Sequence, residues 1–351
     1  MHQRLIPEWK PIEAVVLAWP HQRTDWAPWL DAARQTYIEL IKQINLAGVG
    51  VILLASDDDV GEVKSHLPTD AKVMIVPAVF NDTWVRDYAF LTCDREGEKI
   101  PVEFRFNGWG NKFHAADDNE VNQRYLFNLC RNDAVHANIV AEGGALEIDA
   151  DGHLLSTSLC LLNPERNGEL TLGQYRDEFT QRLGAKSITI LEHGHLEGDD
   201  TDGHIDTLVR FTPNKGLVIQ AAHNRKEDPH FGSLDALCKE CEAQLPNHRQ
   251  FHLPLPAIFN EDGDRLPASY ANFLICNDRI LLPVYQQPED DMAISVMQLA
   301  YPHHTIVPVD CAVLVQQYGS LHCISMQIPV ETLKADVVSQ IKNGVSVYAT
   351  E

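Results

Sequence analysis

The sequence predicts a closed α/β propeller of five blades, each built from a ββαβ unit. One observation is that four segments share a local pattern, in which a β-rich run, a polar turn and a second β-rich run follow one another. These segments are residues 84–106, 145–162, 204–221 and 270–285. Another is that the pattern starts again about every 60 residues, the length expected of a unit that adds a helix to its strands.

The elements between the hairpins complete each unit. The turns at 149–152, 214–216 and 277–279 contain asparagine, aspartate or glycine, which suit the reversal of a strand pair. Helical spacing of apolar residues predicts helices over 172–183 and 233–245. Apolar or β-branched runs at 187–191 and 305–309 predict the further strands.

The fifth hairpin is split between the two ends of the chain. Residues 321–329 form one predicted arm, and the apolar run 14–19 is its natural partner. Pairing the two, with Cys323 on the C-terminal arm, would close a ring without exposed sheet edges. The chain is therefore predicted to be one domain over residues 1–351. The alternative, a doubly wound sheet, predicts single buried strands between helices, and residues 142–144 lack the spacing of a phosphate-binding loop.

Composition limits the classes of partner. The chain has 50 acidic and 28 basic residues, a formal net charge of -22, which disfavours nucleic acid and anionic membrane and favours cationic ligands.

Eight irregularly spaced cysteines and no apolar leader predict reduced thiols and a cytoplasmic protein. Cys238 and Cys241 form a C-x-x-C pair without a second ligand pair, so their spacing is attributed to chance.

Five residues that can carry chemistry lie near the starts of successive hairpins: Asp87, Glu142, His204, Asp206 and Cys323. Because equivalent positions in a ring converge on its axis, we expect these side chains to meet in one pocket. A thiolate can attack a carbon electrophile, a histidine can transfer protons, and carboxylates can hold a cation. Three carboxylates around one thiol therefore indicate a positively charged substrate.

The segments that carry these residues resemble the agmatine deiminases, also known as bacterial-type peptidyl-arginine deiminases, within the guanidine-modifying pentein superfamily. The matching segments are residues 82–87, 142–144, 198–206 and 321–323, with 107–110 and 268–273 as further blocks. They occur in the family's order and cover nearly the whole chain. The resemblance implies a pentein fold and a single deiminase domain that needs neither a metal nor an organic cofactor.

The resemblance also implies a role for each residue. Cys323 would attack the guanidinium carbon to form a covalent amidino-thioether, and His204 would protonate the departing ammonia and then activate water. Asp87 and Asp206 would grip the guanidinium nitrogens through charge-assisted hydrogen bonds, and Glu142 would orient His204. Agmatine would give N-carbamoylputrescine, a step of putrescine and polyamine metabolism.

Two segments depart from the family pattern. The nucleophile is commonly preceded by Gly-Asn-Ile-His, where this chain has Ser320 and Leu321 before His322. The first block commonly continues Arg-Asp-x-Gly-Pro, where this chain has Ala89 and Phe90. Both changes alter loops near the pocket and leave the expected catalytic atoms in place.

Neighbouring residues have structural explanations as well. Trp84 and Trp109 lie in or beside the site segments, and they either line the substrate pocket or fill the core. Arg86 is expected to shape its loop through an ion pair. His322 is assigned no role.

Two alternatives for function remain open. His193, His195 and His204, with the acidic residues of 199–206, could form a zinc or manganese centre, although this leaves the cysteine unexplained. A ring of this kind could also be a non-catalytic binding body, which has no need of Cys323.

Three guanidine substrates fit the resemblance: agmatine, free arginine and peptidyl arginine, the last two giving citrulline. The carboxylate of arginine requires a cationic clamp, whereas the terminal ammonium of agmatine suits acids and aromatic faces. The acidic segment 197–202 and the two tryptophans favour agmatine. The sequence leaves open whether the chain forms a homo-oligomer.

Overall fold

The computed structural model describes residues 3–349, and this part of the chain contains five sheets that share one plan. In each sheet two antiparallel strands are followed by a third strand that runs parallel to the second. The strands, in chain order, are β1 (Arg4–Leu5), β2 (Ile12–Ala18), β3 (Gly50–Ala55), β4 (Val73–Pro77), β5 (Leu91–Arg95), β6 (Glu98–Arg105), β7 (Val135–Val140), β8 (Glu147–Ile148), β9 (His153–Thr157), β10 (Ser187–Leu191), β11 (Val209–Thr212), β12 (Gly216–Gln220), β13 (Arg249–Leu253), β14 (Leu274–Cys276), β15 (Arg279–Val284), β16 (Thr305–Asp310), β17 (Met326–Pro329) and β18 (Ser346–Val347).

The helices follow the same order. They are α1 (Leu30–Leu46), α2 (Val60–His66), α3 (Val85–Tyr88), α4 (Gly108–Asn111), α5 (Ser158–Leu161), α6 (Pro164–Asn167), α7 (Leu172–Leu183), α8 (Phe231–Gln244), α9 (Asp290–Ala300) and α10 (Ala335–Lys342). None of the helices in the described part of the chain combines the length and the apolar character needed to cross a membrane.

Each sheet is one blade. Blade 1 has the order β1-β5-β6-β7, blade 2 β8-β9-β10, blade 3 β11-β12-β13, blade 4 β14-β15-β16 and blade 5 β17-β2-β3-β4-β18. All four predicted hairpins are present, as β5–β6, β8–β9, β11–β12 and β14–β15. The predicted ββαβ unit therefore recurs in five blades.

Blade 5 joins the two ends of the chain, but the C-terminal arm is shorter than predicted. β17 pairs antiparallel with β2, and Met326 lies opposite Val16. The strand begins only at Met326, so Cys323 lies in the turn before it and not on the strand. This turn is held in place because its Cys323 carbonyl accepts a hydrogen bond from the Arg86 N–H (3.1 Å). That residues 1–351 form one domain stays a prediction, which the closure supports.

Local signals explain why α7 matches its predicted bounds. Thr171 and Gln174 form a reciprocal capping box at its start. Gly184 ends the helix in the left-handed conformation, with φ of 62°, which glycine adopts without a steric penalty. Where such capping signals are absent, as at α8, the predicted range 233–245 is offset from the observed Phe231–Gln244.

Within the described residues the core consists of two apolar clusters. The larger one includes fully buried β3 and its neighbours β2 and β4. The smaller one lies in blade 3, where Phe211, Leu217 and Ile219 pack against Leu234 and Leu237 of α8. These buried clusters hold the strands and helices of the blades together. The segments that precede the antiparallel pairs are not needed for this packing and can carry functional groups.

Candidate active site

Each blade contributes a residue of the site from the short segment before the antiparallel pair β5–β6, β8–β9, β11–β12, β14–β15 or β17–β2. Asp87 lies in α3, Glu142 precedes a helical turn at Gly143–Ala145, and His204 and Asp206 lie at the turn Ile205–Thr207. Cys323 lies before β17. Blade 4 contributes Asn272, for which no role was predicted from the sequence.

Cys323 lies in direct contact with Asn272 and close to Asp206. Its Sγ is 3.2 Å from Asn272 Nδ2 and 3.7 Å from Asp206 Oδ2. Burial and the negative charges of Asp206 and Asp87 raise the pKa of the Cys323 thiol well above its ordinary value. A raised pKa favours the neutral thiol at neutral pH, and a cation beside the sulfur would favour the thiolate.

The orientation of the Asn272 amide is set by the backbone. Asn272 Oδ1 accepts hydrogen bonds from the backbone N–H groups of His322 (3.0 Å) and Cys323 (3.3 Å). Its Nδ2 therefore faces the other way, where it donates to Asp206 Oδ2 (3.1 Å) and to the Cys323 sulfur. Asn272 thus links the nucleophile to one of the carboxylates.

Asp87 has both oxygens occupied by fixed donors. Its Oδ1 accepts from the Gly144 N–H and its Oδ2 from Trp109 Nε1, both at 2.9 Å. Burial raises the pKa of Asp87, and the nearby His204 opposes this shift. Trp109 therefore orients a carboxylate of the site as well as lining the cleft.

Asp206 has one occupied and one free oxygen. Its Oδ2 lies 2.7 Å from His322 Nδ1 and accepts from Asn272, whereas Oδ1 is buried with no hydrogen-bond partner among the described residues. Burial raises the pKa of Asp206, but His322 and the further positive charges lower it below its ordinary value. A buried carboxylate oxygen without a donor is costly, so this atom is a candidate for contact with a cationic ligand.

His204 is buried and makes no hydrogen bond through either ring nitrogen within the described chain. Its Nδ1 is 3.6 Å from Asp87 Oδ1, and its Nε2 is 4.0 Å from Glu142 Oε2. Burial opposes the charged imidazole, but Asp87, Cys160 and Glu142 together raise the pKa of His204 well above its ordinary value. The imidazolium can therefore act as a proton donor at neutral pH.

Gly144 marks the space that the functional groups share. A Cβ at this position would lie 2.7 Å from His204 Nδ1, 2.8 Å from Asp87 Oδ1 and 3.1 Å from Asp206 Oδ2. No side chain fits there without displacing one of the three. The glycine therefore allows the histidine and both carboxylates to approach one point.

Glu142 is held by an arginine. Arg166 Nε donates to both of its oxygens, at 2.8 and 3.1 Å, and Arg166 Nη1 donates to Asp202 (2.7 Å). The 4.0 Å separation between Glu142 and His204 is too long for a hydrogen bond, so Glu142 acts on the imidazole through its charge. Arg166 was not predicted, because its segment resembles an ordinary surface turn.

Behind the site lies a buried network of charged residues that we call the Glu8 network. His322 lies between Asp206 and Glu8, with Nε2 2.8 Å from Glu8 Oε1. Glu8 also pairs with Arg86 (3.1 Å) and with Arg210, and despite burial these groups and His322 lower its pKa well below the ordinary value. The ion pair expected for Arg86 is present. His322, to which no role was assigned, connects the site to this network.

A cleft of about 430 Å³ leads to Cys323. Trp84 and Trp109 line it, so the predicted lining position of both tryptophans agrees with the geometry. Four carboxylates besides Asp87 also line it, namely Asp25, Asp82, Asp199 and Asp200, whereas no lysine or arginine does among the described residues. A larger hollow of about 1020 Å³ shares only the rim and contains none of the candidate catalytic residues.

Two of the three histidines of the alternative metal centre, His193 and His195, lie apart from His204. His193 Nδ1 is 3.0 Å from Glu240, and His193 and His195 line a separate hollow. Within residues 3–349 His193 and His195 belong to no group of three metal-ligating side chains, whereas His204 forms one with Glu142 and Cys160, neither of which was in the proposed set. Asp202 is paired with Arg166 and Lys112. The ligand set proposed for zinc or manganese is therefore not assembled around His204.

Solved structures share this fold and much of this sequence. A candidate arginine deiminase from Porphyromonas gingivalis is 37% identical, with a TM-score of 0.87, covering 95% of this chain and 100% of that one. A cysteine-to-serine variant of agmatine deiminase from C. jejuni with substrate bound is 32% identical, with a TM-score of 0.86 and coverage of 95% and 97%. The predicted pentein-type α/β fold is thus confirmed.

Family comparisons agree with these structures. A candidate agmatine deiminase from Vibrio parahaemolyticus is 29% identical over 92% of this chain and 95% of its own length. The family model described as Porphyromonas-type peptidyl-arginine deiminase matches residues 4–329. The chain is therefore an enzyme that belongs to the Porphyromonas-type peptidyl-arginine deiminase family, whose members include agmatine deiminases.

Proposed function

We propose that this protein hydrolyses agmatine to N-carbamoylputrescine and ammonia through a covalent intermediate on Cys323. The observation that carries the proposal is a buried thiol beside two buried carboxylates, one of which, Asp206, has a free oxygen. A planar guanidinium combines in one group a positive charge, which would balance the two carboxylates, and N–H donors for the free oxygen of Asp206. A guanidinium carbon held there would lie next to the sulfur.

The first half-reaction forms a bond between sulfur and carbon. The Cys323 thiolate attacks the guanidinium carbon, whose nitrogens are held by Asp87 and Asp206, and a tetrahedral adduct forms. His204 donates its proton to one terminal nitrogen, the C–N bond breaks, and ammonia leaves. The amidino group remains on Cys323 as a thioether.

The second half-reaction restores the enzyme. Neutral His204 accepts a proton from a water molecule as the water oxygen attacks the amidino carbon. The C–S bond then breaks, the hydroxyl group of the adduct loses its proton to solvent, Cys323 leaves as the thiolate, and the product is a urea. Side chains carry every step, so we expect dialysis against a chelator to leave kcat unchanged.

Substrate binding itself would ionise the nucleophile. Burial and the negative charges of Asp206 and Asp87 raise the pKa of the Cys323 thiol, and a bound guanidinium would neutralise these charges. The thiolate would then form mainly when a cation is present. We therefore expect a cationic amidine reagent to alkylate Cys323 faster than a neutral haloacetamide does.

The far part of the cleft supports agmatine over arginine. Burial, together with the charge of Asp25, raises the pKa of Asp82 to about 7, and burial with the charge of Asp199 does the same for Asp200. An ammonium group would be stabilised beside these acids, whereas the α-carboxylate of arginine would be repelled. The substrate-bound relative named agmatine deiminase is consistent with this choice.

Ammonia release from agmatine, free arginine and an arginine peptide tests the proposal. We expect agmatine to give the highest kcat/KM, and Cys323→Ser to abolish the reaction. Faster turnover of arginine or of the peptide would contradict agmatine as the substrate and would favour a reaction that forms citrulline. No turnover of any guanidine would favour a non-catalytic binding ring. A cytosolic location, the formation of a homo-oligomer and a role in polyamine metabolism stay predictions.

A further inference from the structure

Three metal-ligating side chains from separate segments of blade 3 converge outside the active-site cleft. His223 follows β12, Cys238 lies in α8 and His252 lies in β13. One potential ligand atom from each residue lies within 4.8 Å of those of the other two. None of the three lines the cleft that leads to Cys323.

The blade brings these residues together through regular elements. β12 and β13 are parallel, and Ile219 lies opposite His252, so the chain leaving β12 passes beside this strand. The His223 and His252 rings lie edge to face, with centroids 4.7 Å apart. Cys238 is buried and His223 is exposed, so a solute ion could reach the cluster from one side.

Hydrogen bonds fix the tautomer of one of the histidines. Gln250 Nε2 donates to the carbonyl of Cys238 (3.0 Å), so Gln250 Oε1 is the atom that accepts from His252 Nε2 (2.6 Å). The proton of a neutral His252 is thereby held on Nε2, and Nδ1 keeps its lone pair. Metal-bound histidines commonly have the second nitrogen fixed in this way.

A carboxylate lies beside the other histidine. Asp235 is one turn before Cys238 in α8, and its Oδ1 is 3.9 Å from His223 Nε2. It can orient His223 or enter the coordination sphere as a further ligand. Two imidazoles, a thiol and a nearby carboxylate form a donor set that zinc accepts in tetrahedral sites.

We propose that His223, Cys238 and His252 bind one zinc ion, with Asp235 or a water molecule in the fourth position. The thiol proton leaves to solvent when the sulfur–metal bond forms, and no electron is transferred. Cys241, the other cysteine of the C-x-x-C pair, is not part of the cluster. The site uses histidines from the strand segments in place of a second cysteine pair.

Bound zinc would join α8 to the strand segments of blade 3. Because a ligand that binds only the folded state stabilises it, zinc should raise the temperature of thermal unfolding. This effect is separate from the proposed catalysis, whose steps are assigned to side chains.

Cobalt(II) substitution tests the site directly. We expect one equivalent of cobalt to give thiolate-to-metal charge-transfer absorption in the wild type, in Cys323→Ala and in the matched control Cys241→Ala. Cys238→Ala should lose the absorption. Absence of the band in the wild type would overturn the proposal, as would a band that persists in Cys238→Ala or that disappears in Cys323→Ala.

Two further variants separate ligand loss from misfolding. His223 is exposed, so His223→Asn should fold normally yet lose the zinc-dependent rise in unfolding temperature. Gln250→Ala should weaken zinc binding by about 10-fold to 100-fold, as is typical when the partner of a metal-bound histidine is removed. An undiminished zinc effect in His223→Asn would contradict the proposed ligand set.

Discussion

Asp206→Asn is expected to abolish most turnover while leaving the fold intact. Asp206 Oδ2 accepts from Asn272 and lies beside His322, whereas Oδ1 is free. An asparagine can keep its carbonyl oxygen toward Asn272 and His322, which turns its amide nitrogen toward the expected guanidinium. Two donors would then face each other, and one negative charge would be lost.

The expected magnitude follows from the loss of a buried charged hydrogen bond. Such a loss costs about 2–5 kcal/mol. At about 1.4 kcal/mol per decade, this corresponds to a decrease in kcat/KM of about 30-fold to 4,000-fold. Asp87→Asn should lower activity similarly but also lower the unfolding temperature. Both Asp87 oxygens accept from fixed N–H groups of Gly144 and Trp109, so an amide nitrogen must face one of them.

The assay combines ammonia release from agmatine with thermal unfolding of each variant. Asp25→Asn is the matched control, because Asp25 is an exposed acid that lines the same cleft. We expect the control to stay within a few-fold of wild type. If Asp206→Asn turned over agmatine normally, the two-carboxylate grip on the guanidinium would be wrong.

Three further predictions test other parts of the site. Gly144→Ala places a Cβ 2.7 Å from His204 Nδ1, so kcat should fall about 100-fold, the loss expected when a catalytic group is displaced by about 1 Å. Glu8→Gln removes the counter-charge of the buried Glu8 network and should lower the free energy of unfolding in urea by about 3–5 kcal/mol. KM for agmatine should fall as pH rises through about 7, because the raised pKa values of Asp82 and Asp200 keep these acids protonated and neutral below that pH. KM for butylguanidine, which lacks the terminal ammonium, should change less, and equal pH dependence for both compounds would contradict the assignment of these acids.

Much of the fold could be predicted because the repeat appears in the local pattern. Each hairpin has its own turn residues, and α7 has its own capping signals. The turn around Cys323 was mistaken for a strand because its apolar residues alone do not distinguish the two. The tertiary hydrogen bond from the Arg86 N–H to the Cys323 carbonyl, which the local pattern does not contain, holds that turn.

The site could be predicted only where a residue type carries chemistry of its own. A cysteine, a histidine and acids at repeated positions indicated the pocket, whereas Asn272 gave no such signal, although it occupies the same place in blade 4. Its position before a hairpin was the available clue. Arg166 and Glu8 could not be found, because their contacts depend on packing between segments far apart in the chain.

Acid-quench mass spectrometry during turnover of agmatine tests the central claim most directly. The account predicts that the peptide bearing Cys323 gains the mass of agmatine less ammonia. This adduct should disappear when the substrate is exhausted, and it should not form in Cys323→Ser. Turnover of agmatine by Cys323→Ser at a rate near wild type, with no adduct on Cys323 in the wild type, would contradict covalent catalysis by this residue.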